Sequence, residues 1–113
     1  MKLVTNISLA ELQEMAQKMY GGLVKVDVDL SKRLVLVDME LHADGEAYLL
    51  EHGSRQRDLW GINLHPEQFG SDDFIEFDSM INIRPSQGNA SRDVLDATVR
   101  DTITDLISGV VHE

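Results

Sequence analysis

Between Arg84 and Arg92 the chain reads RPSQGNASR, two guanidinium groups enclosing Ser86, Gln87, Asn89 and Ser91. Pro85 fixes its own φ and pushes Arg84 toward extended geometry, so a strand must end there. Gly88 and Asn89 tolerate left-handed backbone, which lets the loop curl and turn several N–H groups inward. A curled, donor-rich backbone close to a helix start is how proteins hold phosphate, sulfate or carboxylate groups. The spacing therefore nominates Arg84, Ser86, Gln87, Asn89, Ser91 and Arg92 as ligands of a small anion. It is not a P-loop, because the glycine pattern and the Lys-Ser/Thr pair are missing. A competing reading spends the same donors on one another and on the loop's own carbonyls, with Arg84 or Arg92 paired to Asp78, Asp93 or Asp96. Arg55 and Arg57, in GSRQRD, join the site only if the chain leaves the second helix beside it.

A second set of residues suits acid-base work: His42, His65, Glu40, Glu76 and Asp78. Glu76 and Asp78 share one face of a strand, because side chains there repeat every two residues. A small hydrolase-type enzyme would use His42 or His65 with Glu76 or Asp78, yet no set of nucleophile, base and orienting group can be read from the sequence. Alternating acids on an exposed strand also serve to prevent edge-to-edge pairing. In HADGE, His42, Asp44 and Glu46 look superficially like a ligand triplet, but Asp44 reads better as a helix cap with Glu46 favouring the helix dipole. No metal site and no cofactor are expected.

The elements that must position these residues follow from periodicity. Ser8 and Glu11 form a capping box for a helix over Ser8 to Tyr20, with Leu9, Leu12, Met15, Ala16 and Met19 on one side. Strict alternation over Leu23 to Leu30 puts Val24, Val26, Val28 and Leu30 on one face of a strand and Lys25, Asp27 and Asp29 on the other. A turn at Leu30 to Arg33 leads to a second strand, Arg33 to His42, with Val35, Val37, Met39 and Leu41 facing inward. A short helix, Gly45 to His52, is capped by Asp44. LWGINLH gives a third strand with Trp60, Ile62 and Leu64 inward, and Phe74 to Arg84 a fourth with Ile75, Phe77, Ser79, Ile81 and Ile83 inward. Asp96 or Asp93 caps a last helix carrying Val99, Ile103, Leu106, Ile107 and Val110.

The order α-β-β-α-β-β-α predicts an α+β fold, a two-layer sandwich in which a four-stranded, mainly antiparallel sheet carries its helices on one face. The opposite face is then uncovered. It would carry the acids, His42 and His65, together with Leu34, Leu36 and Met80, an apolar set suited to a homodimer contact or a ligand floor.

Composition sets the outer bounds. One domain accounts for 113 residues, and 42% hydrophobic with 27% charged residues is ordinary for a folded protein. The absence of cysteine rules out disulfides, thiolate metal sites and a cysteine nucleophile. No segment has the apolar core of a signal peptide or the length of a membrane span, so a cytoplasmic protein is expected. A formal charge of −10, spread along the chain, repels phosphate backbones at long range and makes nucleic acid an unfavoured partner. The expected role is a small binding or interaction module, assembled as a homodimer and recognising a small anion through the loop from Arg84 to Arg92.

Three long runs, ELHADGEAYLLEHGS (Glu40 to Ser54), DLWGIN (Asp58 to Asn63) and FIEFDSMINIRPSQGN (Phe74 to Asn89), resemble a family of short bacterial and archaeal proteins known only as a domain of unknown function. The resemblance covers most of the chain. It implies an uncharacterised cytoplasmic single-domain protein and brings no activity, substrate or catalytic residue with it. It also implies a Pro opening the last helix after Asp96, where this chain has Ala97.

Overall fold

The structure, a computed structural model, describes residues 1–19 and 21–113. The fold is α+β, as the pattern of elements predicts, but its layering differs. Among the described residues the main sheet has five strands and not four, in the order β1 (Lys2–Leu3), β4 (Leu34–Val37), β3 (Val24–Asp29), β5 (Leu59–Leu64) and β6 (Ile75–Glu76), with every pairing antiparallel. A separate pair, β2 (Ile7–Ser8) and β7 (Val111–His112), runs parallel and ties the two ends of the described chain together. The extra strands escaped the sequence reading because each is two residues long, too short for alternation to register.

The first helix, α1 (Leu9–Gln17), begins where the capping box places it. Ser8 accepts from the Glu11 N–H at 3.1 Å, but the Glu11 carboxylate turns away to Lys2 Nζ at 3.0 Å, so only half of the box is used. The expected end at Tyr20 lies outside the described residues. Beneath α1 and α3 (Ala97–Val110), Val24, Val26, Val28, Val35, Val37, Trp60, Ile62 and Leu64 form the sheet's side of the larger core. Asp96 caps α3, accepting from Thr98 and Val99 N–H, so Ala97 opens the helix without a proline.

The other face of the sheet is not left open. The second helix, α2 (His42–Glu51), packs across it and closes a smaller core of Leu36, Met39, Leu49 and Leu59. Helices therefore cover both faces, and the expected two-layer arrangement is replaced by three. Leu36 is buried, Leu34 packs at the edge of this core, and Met80 stands 64% exposed, so the three do not form one uncovered patch.

Two local features move the chain away from its expected course. Asp38 takes a positive φ of 72°, which ends β4 at Val37 and reverses the phase of alternation, so Met39 joins Leu36 instead of Val37. Gly45 lies inside α2 and not at its start. A Cβ there would collide with Asp27 Oδ2 and sit 2.8 Å from Met39 Cε, so the close approach of helix to sheet requires glycine. The helix accordingly starts at His42 behind Leu41, whose side chain makes no capping bond, and Asp44 is a first-turn residue and not the cap. Among the described residues no helix is long and apolar enough to cross a membrane.

Candidate functional site

The segment from Phe74 to Arg84 is expected as one long strand, and it is the segment that departs furthest from expectation. Only Ile75–Glu76 pair with β5, after which the chain folds over the edge of β5 in 3-10 turns at Met80–Asn82 and Pro85–Gln87. Side chains replace the missing strand. The Asn82 amide accepts from the Gly61 N–H at 2.8 Å and donates to the Gly61 carbonyl at 2.9 Å, standing in for a neighbouring peptide unit. It also donates to the Arg92 carbonyl at 2.9 Å, which pins the far end of the loop. Gly61 permits this, because a Cβ there would lie 2.6 Å from Ser79 and 3.1 Å from His42 Cδ2.

Within the loop, the donors divide into two groups. Arg84 is buried, stacks over the Trp60 ring with its guanidinium carbon 4.2 Å from the ring centre, and donates to the carbonyls of Gln56 and Leu59. Burial lowers its pKa from the usual value. Asn89 is also buried and donates to the carbonyls of Asn82, Ser91 and Asp93 while accepting from Leu95 N–H. These two hold the loop's shape. Ser91 Oγ accepts from Asp93 N–H at 3.0 Å, and Ser86 and Gln87 are exposed. Arg92 is exposed and donates through Nε to Asp78 Oδ1 at 2.6 Å, which leaves both of its terminal nitrogens without a protein partner among the described residues. Arg57 lines the same shallow concavity as Gln87, Gly88 and Asn89, about 640 Å³, but Asp58 and Asp96 line it too.

Beside Arg92 the two sequence-predicted sets of residues meet. His42, at the first position of α2, donates from Nε2–H to the Ile62 carbonyl at 2.8 Å, so its free lone pair is on Nδ1. Burial lowers its pKa below the usual imidazole range; the Ile62 bond and Asp78 oppose this, and the positive charges of Lys25 and Arg92 add to it. Lys25 comes from β3, opposite Asn63 of β5. Asn63 donates to Glu76 Oε1 at 2.9 Å and to the Asp78 carbonyl at 3.1 Å, while its own buried Oδ1 has no partner. His65 Nε2–H donates to Glu76 Oε1 at 3.1 Å. Glu76 therefore belongs with His65, and Asp78 with Arg92 and His42. Glu40 is exposed. Among the described residues no group of three or more His, Cys, Asp or Glu is placed to hold a metal ion.

One titratable group lay hidden in the sequence. Asp27, which alternation assigns to the uncovered face, is fully buried beneath Gly45, and neither carboxylate oxygen has a hydrogen-bond partner. Burial, then the charges of Glu46 and Asp44, push its pKa up to about 8. Asp27 pairs across the ladder with Gly61, against which His42 packs, so an acid held protonated and an imidazole held neutral occupy neighbouring positions on one face. The signal available in the sequence was Gly45 itself, a glycine within helical spacing that no turn requires.

No curated protein and no solved structure matches this sequence. A family model described as a protein of unknown function (DUF5674) matches residues 2–110, nearly the whole chain. The chain belongs to this DUF5674 family.

Proposed function

We propose that the chain is a small binding module for a small anion, and that the anion sits where the loop from Arg84 to Arg92 meets the start of α2. One observation carries this reading: both terminal nitrogens of exposed Arg92 lack a protein partner among the described residues, on a guanidinium whose charge, with that of Lys25, reaches the imidazole of His42. Asp78 takes only Nε of Arg92, an arrangement that aims a guanidinium while leaving its outer donors for a carboxylate or phosphate oxygen. In this reading Arg84 and Asn89 build the loop, Ser91 lines the same trough as Arg92, Gln87 faces a separate concavity beside Arg57, Ser86 is exposed, and Arg92 binds.

The test is thermal stabilisation of the wild type by phosphate, sulfate, sugar phosphates and small carboxylates, with Arg92→Ala and Lys25→Ala alongside. A ligand at 100 times its Kd stabilises by about 2.7 kcal/mol, several degrees in a domain this small. The expected result is a shift with at least one anion that is lost in both variants. An anion shift that survives in Arg92→Ala would place the site elsewhere, and a flat panel would sink the anion reading.

A second reading is favoured by the opposite displacements of Asp27 and His42, since acid-base sites pair groups whose environments push their pKa values apart. His42 Nδ1 would act as general base in a hydrolysis, oriented by the Ile62 carbonyl, with Asp78 near it. Turnover of an ester or phosphoester substrate that disappears in His42→Ala, with folding intact, would establish it. Equal rates in His42→Ala and the wild type would remove it.

A further inference from the structure

The outer edge of β6 carries main-chain groups that point away from the sheet. Glu76 pairs with Asn63 and Ile75 with Leu64, and the His65 N–H donates to the Phe74 carbonyl at 2.9 Å. Hydrogen-bonded and non-bonded pairs alternate along an antiparallel ladder, so Phe74 and Glu76 face β5 while Ile75 and Phe77 face outward. The next two residues keep the same alternation. The Asp78 carbonyl accepts from Asn63, and the Ser79 N–H turns outward to the Arg92 carbonyl at 3.1 Å. The loop has thus added itself to this edge at Ser79. At Phe77 neither the N–H nor the carbonyl has a partner among the described residues.

Two adjoining concavities follow this edge, and their chemistry differs. Toward α3 lies a mainly apolar cavity of about 360 Å³ whose walls include Phe69, Phe74, Ile75 and Phe77 on one side and Ile107 and Ser108 on the other. A shallow trough of about 520 Å³ shares Asp72, Ile75 and Phe77 with it and adds Asp73, Glu76, Asp78 and Asp93, with Arg92 and Arg100. Five carboxylates, Asp72, Asp73, Glu76, Asp78 and Asp93, outnumber the two guanidinium groups there, and Arg92 and Arg100 are each ion-paired to one of them. Asp72 and Asp73 have no ion-pair partner among the described residues, so the trough presents net negative charge.

We propose that this edge is the docking site for an extended, basic segment of a partner protein, added as a further strand outside β6. A strand turns alternate side chains to opposite faces, so one apolar side chain enters the Phe69 and Phe77 cavity while its neighbours, Lys or Arg, meet the carboxylates of the trough. Main-chain bonds at Ile75 and Phe77 supply register, and the acidic trough selects the charge. This reading does not rest on the anion site, and its variants leave Lys25, His42 and Arg92 in place.

An immobilised positional-scanning library of decapeptides probed with the wild type tests it. The expected selection is for one apolar residue flanked on both sides by Lys or Arg. The best peptide, labelled for fluorescence anisotropy, is expected to lose at least tenfold in affinity against Ile75→Pro, which removes an outward N–H and no bond to β5. A similar loss is expected for Asp72→Lys with Asp73→Lys. If Ile75→Pro does not fold, the same peptide N-methylated at alternate amides takes its place and is expected to lose binding in one register alone. No selection, equal binding to wild type and Ile75→Pro, or occupation of the edge by a second copy of the chain would each overturn the proposal.

Discussion

The side chain of Asn82 and the main chain of Gly61 exchange a reciprocal pair of hydrogen bonds, at 2.8 and 2.9 Å, at the edge of the sheet where a strand is missing. Asn82 is fully buried, and its amide also holds the Arg92 carbonyl. Replacing it by Ala leaves the N–H and carbonyl of Gly61 unsatisfied, while the Arg92 carbonyl keeps the Ser79 N–H. The expected cost is about 2 kcal/mol or more, since each such group costs roughly 1–3 kcal/mol. Urea unfolding measures it, and a loss below about 1 kcal/mol would show that solvent already reaches this edge.

Gly45→Ala is expected to reverse the usual sign of a helical glycine substitution. In an exposed helix the change gains roughly 0.5–1 kcal/mol. Here the new methyl group meets Asp27 Oδ2 and Met39 Cε, and overpacking of this kind costs about 1–3 kcal/mol. The double variant with Asp27→Ala is expected to recover part of the loss. Simple additivity of the two changes would argue against the contact.

Asp27 gives stability a pH dependence of known sign. Its folded-state pKa of about 8 lies above the ordinary 3.8, so the native state holds the proton more tightly than the unfolded chain. The contribution is fully present below about pH 4 and is lost as pH rises toward 8, by about 1.4 kcal/mol per pH unit. Glu46 and Asp44, from the helix above, deepen the effect. The difference in unfolding free energy between wild type and Asp27→Asn, measured from pH 4 to 9, is expected to follow this slope. A constant difference would mean that the carboxyl ionises freely in the native state.

Arg84→Ala and Arg92→Ala are expected to separate. Loss of Arg84 leaves the Leu59 carbonyl and one face of Trp60 without their partner and takes one of two donors from the Gln56 carbonyl, and should lower stability by about 2–4 kcal/mol. Arg92 is exposed, and its ion pair with Asp78 is of the kind that contributes little to folding. Thermal unfolding of the two variants side by side checks this. Equal melting temperatures would contradict the division of labour within the loop.

What could be read beforehand depended on where a single rule governed. Alternation placed Val24, Val26 and Val28, and Trp60, Ile62 and Leu64, on one buried face, and spacing with a cap located α1 and α3. Both signals failed where one residue's geometry outweighed the pattern. The left-handed Asp38 carried Met39 to the other core, and the amide of Asn82 took the place of a strand that the apolar spacing of Ile75, Phe77, Ile81 and Ile83 suggested. The site suffered likewise. Residue type and spacing single out His42, Asp78 and Arg92, whereas alternation makes Lys25 and Asp27 ordinary solvent-facing charges, because their surroundings depend on where α2 crosses the sheet.

The two cores are unequal, and this has a kinetic meaning. The α1 and α3 side of the sheet packs a large cluster, while α2 rests through Leu49 on Leu36, Met39 and Leu59 above an unpartnered carboxyl group. Opening free energies follow such differences, so in native-state hydrogen exchange the amides of α2 should exchange through a partial opening well before those of β3 and β5. His42 rides on that helix. The imidazole of the candidate site is therefore expected to ride on a unit that opens before the central strands, and a ligand bridging it to Arg92 would slow that opening.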